Sequence, residues 1–192
     1  MRITIDPKTD ALIVVDVQRD FCPGGALPVP EGDQVVPAIN RILDLGHWVS
    51  VATRDWHPAD HCSFKSQGGI WPAHCVAGTP GAAFHPALEA AKIRHIVSKP
   101  TTREAETYSG FQGTDLAALL KRLTIRRVFV CGLATDYCVK ATALDARKAG
   151  FDAVVLEDAI RGVEVQPGDC AQATAEMSAA GIRLAKTTDL AA

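Results

Sequence analysis

Six short runs of apolar residues recur along the chain, at 11–17, 48–52, 93–98, 153–156, 182–185 and in a run that begins at Val128. The run at 11–17, apart from Asp16, and the run from Val128 are continuous rather than alternating, as expected of strands buried on both faces of a parallel sheet. Helical patterns lie between them, at 33–45, 114–122, 136–150 and 169–180. In the first, Val35, Ile39 and Ile42 share a face, joined by Val36 and Leu43. Gly46, Gly150 and Gly181 follow three of these patterns, where a left-handed residue can close a helix. Strands alternating with helices predict a three-layer α/β/α sandwich with a mostly parallel, six-stranded, Rossmann-like sheet. A chain of 192 residues suits one such domain, spanning 1–192.

The periodicity fails in defined places. Residues 18–30 read as a loop with Pro23-Gly24-Gly25 as breakers, and 101–113 and 158–168 as further loops, while 86–91 is predicted as a short helix. The longest aperiodic stretch is 53–85, and a stretch of that length in a compact domain is functional or disordered. It holds Trp56 and Trp71, two of the three tryptophans, and His57, His61, His74 and His85, four of the six histidines.

Composition narrows the class. Net charge is −2 and no basic block stands out, which speaks against nucleic acid or an anionic membrane as partner. The N-terminus lacks the apolar core of a signal peptide, and no apolar run approaches a membrane span. Six cysteines without an export signal predict reduced thiols in the cytoplasm. None is spaced Cys-x-x-Cys, which disfavours both a zinc finger and a dithiol redox centre. A homo-oligomer is compatible with all of this.

Two constellations carry chemistry. Asp16 interrupts an apolar strand, Lys99 ends another, and Cys138 falls in the first turn of the helix after Val128-Phe129-Val130-Cys131-Gly132-Leu133-Ala134. Thr135 or Asp136 can cap that helix. All three side chains fall at carboxyl ends of strands, where open α/β sheets bind ligands. A thiol at a helix N-terminus beside a cation ionises more readily, and with a carboxylate as proton acceptor it has what acyl transfer needs. Against this, a buried cysteine is commonly a small hydrophobe and a lysine at a turn is commonly a surface residue. The second group is Asp55, His57, His61 and His74, a ligand set suited to Zn²⁺, Fe²⁺ or Mn²⁺. Asp55 and His57, two apart, point the same way on extended backbone. Cys62 and Cys75, each after a histidine, read as supporting residues, and His47, His85 and His95 as structural.

Four segments resemble the nicotinamidases and pyrazinamidases of the isochorismatase-like cysteine hydrolases: Val15-Asp16-Val17-Gln18-Arg19-Asp20-Phe21; Arg54-Asp55-Trp56-His57-Pro58 with Asp60-His61; Trp71-Pro72-Ala73-His74-Cys75; and Gly132 through Cys138. The resemblance covers nearly the whole chain. It implies a triad of Asp16, Lys99 and Cys138, and one divalent metal, with zinc favoured, held within 53–85 by Asp55, His57 and His74. His61 would be a further ligand, direct or through water. It implies a cis peptide at Leu133–Ala134 that aims the Ala134 and Cys138 N–H groups at one oxyanion. Phe21, Leu27, Trp71 and Tyr137 would line a ring pocket, with Leu133 and Ala134 beside it. The implied activity is hydrolysis of nicotinamide, and of pyrazinamide, through a thioester in NAD salvage. Other readings stay open at this stage: a cysteine amidase for carbamoyl or maleamate-type substrates, a metal-binding module with a structural Cys138, and a thiol redox protein.

Overall fold

The computed structural model describes residues 2–45 and 48–191, so the helix stop read at Gly46 and the structural reading of His47 lie outside it. Its strands are β1 (Ile3–Thr4), β2 (Asp10–Val15), β3 (Val49–Asp55), β4 (His95–Lys99), β5 (Arg127–Leu133), β6 (Asp152–Arg161), β7 (Arg183–Ala185) and β8 (Leu190–Ala191). Its α-helices are α1 (Val35–Asp44), α2 (Leu116–Arg122), α3 (Lys140–Lys148) and α4 (Asp169–Ala179). Six strands form one parallel sheet in the order β4-β3-β2-β5-β6-β7.

The continuous apolar runs have the expected cause. Every residue of β2 is buried, because helices cover both faces of the sheet. On one face Val35, Ile39 and Ile42 of α1 join Leu12, Val14, Phe129 and Leu156 in one apolar cluster. On the other, Leu116 and Leu120 of α2, Ala143 and Ala146 of α3 and Met177 of α4 join Ile13, Val51, Val130 and Val155. Each fully buried aliphatic side chain contributes about 1.5–3 kcal/mol relative to exposure.

Several boundaries differ from the sequence reading. β3 runs on through Thr53 and Arg54 to Asp55, so the aperiodic region starts later than residue 53. Its partner β4 supplies the reason: Asp55 pairs in register with Lys99. β6 continues to Arg161 where a loop was expected from 158, since Gly132 and Leu133 pair with Ile160 and Arg161. Residues 86–91 form no helix, and a single 3₁₀ turn at Ala90–Lys92 stands there instead. The two-stranded ladder of β1 and β8, which joins the chain's ends, has too few residues to leave a pattern. No helix among the described residues is long and apolar enough to cross a membrane.

Gly132 shows how closely β2 and β5 approach. Its φ is +111°, and a Cβ there would lie 2.1 Å from the Val15 carbonyl oxygen. Gly132→Ala should therefore lose about 3 kcal/mol or more, combining a disfavoured φ with a backbone clash. Thermal denaturation should show Tm falling by about 6–12 °C, and an unchanged Tm would refute this account.

Candidate active site

Strand order reverses between β2 and β5: the chain steps outward from β2 to β3 and β4, then returns to β5 on the other side of β2. The crevice at such a switch point is where open α/β sheets bind ligands. Asp16 follows β2, Asp55 ends β3, Lys99 ends β4, and Cys138 lies just beyond β5. Cys138 sits in a π-helical turn, Thr135–Val139, that leads into α3. Such turns are rare and concentrate at functional sites.

Lys99 ties these strand ends together. β4 and β2 are not neighbours, so a side chain reaching from one to the other must cross the end of β3, a span of about 10 Å. Lysine is long enough. Its Nζ lies 2.6 Å from Asp55 Oδ1, 2.8 Å from Asp16 Oδ2 and 3.7 Å from Cys138 Sγ. The Lys99 and Asp16 side chains have no solvent exposure. Thr53 Oγ1 donates to Asp16 Oδ1 at 2.6 Å and completes that carboxylate's shell. The backbone of Asp16 has φ +49°, an uncommon conformation for a residue other than glycine. Gln18 braces the neighbouring ligand: its Oε1 accepts from the Asp55 N–H and its Nε2 donates to the Asp55 carbonyl, both at 2.7 Å.

Burial and charge push the titrating groups apart. Burial opposes the Lys99 ammonium, yet Asp16 and Asp55 outweigh it and hold the amine well above its ordinary range. Burial raises the Asp16 carboxyl, against the opposing pull of Lys99. It acts on Asp55 too, but there Lys99 and His57 win and the carboxyl falls well below the usual range. Burial also pushes the Cys138 thiol well up, against Lys99. That corrects the expectation of a readily ionised thiol. A thiolate would add a further negative charge to a buried cluster that already holds two carboxyl groups and one cation. Asp16 and Cys138 meet through Lys99, whose Nζ reaches both.

Asp55, His57 and His74 offer donor atoms that all lie within 4.8 Å of one another, and all three residues are buried. His57 Nε2 is 3.3 Å and His74 Nε2 3.9 Å from Asp55 Oδ2. His74 Nδ1 donates to the Pro72 carbonyl at 2.8 Å, which leaves the Nε2 lone pair facing the carboxylate. A backbone acceptor behind a ligating histidine is the usual way its tautomer is set. Burial lowers the His74 pKa, which favours the neutral, ligating imidazole. The donor set thus suits a divalent metal ion. His61 stands apart. It stacks on His57 with ring centroids 4.2 Å apart. Its Nδ1 accepts from Ser63 Oγ at 2.7 Å and its Nε2 donates to the Ala105 carbonyl at 3.0 Å. Both nitrogens are therefore engaged away from the Asp55, His57 and His74 trio.

Between the trio and Cys138 lies a cavity of about 540 Å³, counting its open mouth. Phe21, Leu27, Val29, Trp71, Tyr137 and Val163 form its apolar wall. Trp71 meets the Tyr137 ring edge-on at 5.3 Å. Ala134 also lines the cavity, after the cis peptide at Leu133–Ala134.

The isochorismatase domain family matches residues 10–189. The chain belongs to the isochorismatase family. Within that family it is 43% identical to the nicotinamidase of Escherichia coli, a match covering 93% of this chain and 95% of that one. The crystal structure of PnC1 from L. infantum in complex with nicotinate superposes with a TM-score of 0.95 at 42% identity, over 100% of this chain and 99% of that one. The pyrazinamidase of Pyrococcus horikoshii in complex with zinc superposes with a TM-score of 0.86 at 51% identity, over 92% of this chain and 98% of that one.

The residues singled out from sequence fall in three groups. Asp16, Lys99 and Cys138 meet, and so do Asp55, His57 and His74. Phe21, Leu27, Trp71, Ala134 and Tyr137 line the cavity. Leu133 does not: it is 1% exposed and packs beneath α1 in the same apolar cluster as Phe21 and Val29, behind the cavity wall. Asp136 caps no helix. Its carboxylate accepts from the Val163 and Glu164 N–H groups at 2.9 and 2.8 Å and so holds the Val163 wall. Gln18 and Thr53 were missed as supports, since a polar side chain near a strand end carries no signal of which backbone it grips. Asp20 was missed likewise. Its Oδ2 accepts from the Cys75 N–H at 2.7 Å and its Oδ1 from the Ala26 N–H at 3.2 Å.

Cys75 follows His74 and has φ +46°, so the Asp20 bond fixes an uncommon backbone conformation next to the metal trio. Asp20→Asn can satisfy only one of the two N–H groups. It should weaken metal affinity about 10- to 100-fold, the usual cost of losing such a support. Metal titration of the folded variant measures this, and an affinity equal to the parent's would discard Asp20 as a support.

Proposed function

We infer that this chain is a nicotinamidase: a metal-dependent cysteine amidohydrolase that converts nicotinamide and water to nicotinate and ammonia. The observation that carries the reading is the placement of a thiol, an ammonium and a carboxylate at one end of an apolar cavity, with a metal trio beside them. Residues 1–192 act as one hydrolase domain, with 53–85 supplying the metal ligands. The similarity to the E. coli nicotinamidase and to a pyrazinamidase supports nicotinamide as substrate, with pyrazinamide as a second one, in NAD salvage.

Asp55, His57 and His74 would hold the ion, zinc being favoured, and when bound it supplies a Lewis acid for the ring nitrogen. His61 supports His57 by stacking rather than by direct ligation. Phe21, Leu27, Trp71 and Tyr137 confine the ring, which holds the carboxamide over Cys138 and turns an encounter into an oriented attack. Asp16 takes the thiol proton as Cys138 Sγ attacks the amide carbon. Lys99 balances the charge that develops between them. The backbone N–H groups of Ala134 and Cys138 receive the oxyanion. Asp16 returns its proton to the leaving nitrogen, the C–N bond breaks, and ammonia departs from a Cys138 thioester. A water that gives its proton to Asp16 then attacks the thioester carbon, and nicotinate leaves with the thiol restored. An Asp16 raised by burial suits both halves, since it must accept and return a proton in each.

The test is ammonia release from nicotinamide by the metal-loaded protein. Cys138→Ala should lower turnover by about a thousandfold or more, as expected when a covalent nucleophile is removed. Its folded-state circular dichroism should match the parent's. Near-normal ammonia release would refute the covalent route. His57→Ala should lose the ion and mainly weaken substrate binding, and an unchanged metal content by elemental analysis would remove His57 from the ligand set.

A further inference from the structure

Three buried side-chain polar atoms lack a protein hydrogen-bond partner among the described residues: Trp48 Nε1, His57 Nδ1 and Thr107 Oγ1. Trp48 lies away from the cavity, and His57 belongs to the metal trio. Thr107 has no role in anything described so far. It is 9% exposed and lines the cavity. A buried hydroxyl without a partner costs about 1–3 kcal/mol, so one at the wall of a binding cavity calls for an explanation.

Its surroundings supply one. The segment 101–109 crosses the site from the metal trio to the nucleophile and is pinned at both ends. The Arg103 carbonyl accepts from the Cys62 N–H at 2.9 Å, and the Ala105 carbonyl from His61 at 3.0 Å. At the other end the Tyr108 hydroxyl accepts from Trp71 Nε1 at 3.1 Å and donates to Glu106 at 3.0 Å. The Tyr108 ring meets Tyr137, the neighbour of Cys138, at 5.4 Å. Thr107 is thus held between the two ends of the position a bound ring amide would occupy.

We propose that Thr107 Oγ1 is a substrate-binding group that accepts a hydrogen bond from the carboxamide nitrogen of the bound ring amide. This rests on the function proposed above and follows by elimination. A nicotinamide molecule has three polar groups. The ring nitrogen faces the trio, and the carboxamide oxygen faces the Ala134 and Cys138 N–H groups. Asp16 is fully buried and does not line the cavity, whereas Thr107 lines it and offers an unpartnered acceptor. The bond orients the leaving group before the C–N bond breaks. It also accounts for a buried hydroxyl on the cavity wall that has no protein partner.

The experiment compares Thr107→Val, which keeps the shape and removes the hydroxyl, with Thr107→Ser, which keeps the hydroxyl. With nicotinamide as probe, Thr107→Val should lose about five- to tenfold in kcat/KM, the worth of one net hydrogen bond, and Thr107→Ser should recover most of it. The Tm of Thr107→Val should be unchanged or higher, because an unsatisfied buried hydroxyl is gone. A structural role predicts the opposite, a lower Tm accompanying lost activity, and that pairing overturns the proposal. So does a Thr107→Val protein as active as an active parent. A parent that releases no ammonia from nicotinamide overturns the proposed function and this inference with it.

Discussion

A single ammonium holds the site together. Lys99 is 1% exposed, and an ion taken so far from water carries a desolvation cost of several kcal/mol. Two carboxylates, on the ends of the next two strands, offset it. The arrangement is mutual: without the cation, Asp16 and Asp55 would be like charges buried side by side, and one of them would have to take up a proton. The sheet order makes Lys99 the group that can do this. A shorter cation on β4 would reach Asp55 and stop there, since Asp16 lies one strand farther on.

From that bridge follows a division of labour between two residues of the same chemical type. Asp55 has Lys99 on one oxygen and two imidazoles near the other, and stays ionised as a ligand must. Asp16 has Lys99 and the Thr53 hydroxyl, no imidazole, and complete burial, which raises it towards the range of a proton carrier. Two carboxyls driven in opposite directions by their surroundings are what the proposed mechanism requires of a proton carrier and a permanent anion. The thiol's burial belongs to the same logic. Burial and the two neighbouring carboxyl groups push the Cys138 thiol up, against the pull of Lys99.

Much of this was legible in the sequence, for physical reasons. Continuous apolar runs reveal strands buried on both faces, and a charged residue such as Asp16 inside one has few innocent explanations. Asp55 and His57, with His74 near, show a ligand pattern because metal donors are drawn from a short list of residue types. What stayed hidden depends on contacts between distant segments. Gln18 looks like any loop glutamine until it is seen gripping the Asp55 backbone. Asp136 fits a helix cap by position, and only the fold shows its carboxylate turned to Val163 and Glu164. Leu133 illustrates the limit of motif transfer: it lies within a matching segment, but its side chain is buried behind the cavity wall rather than on it. His61 does the same for spacing, since its two nitrogens are taken by Ser63 and Ala105.

Several departures from regular backbone lie where the chemistry is. Asp16 at φ +49°, Cys75 at φ +46° and Gly132 at φ +111° all lie at or beside the strand ends that meet there. The β5–β6 pairing shifts register between Val130 and Gly132, and a π turn follows Ala134. The left-handed conformations of Asp16 and Cys75 are locally unfavourable, and they are held by well-packed surroundings: a fully buried β2, two apolar clusters, and bonds such as Asp20 to Cys75. A regular strand end would send its next side chain along the pleat and past the crevice. The irregular ends turn Asp16 and Cys138 inward, while Asp55 and Lys99 reach the crevice from regular strand ends that pair in register. Stable packing elsewhere in the sheet is therefore what makes so polar and so irregular a crevice possible.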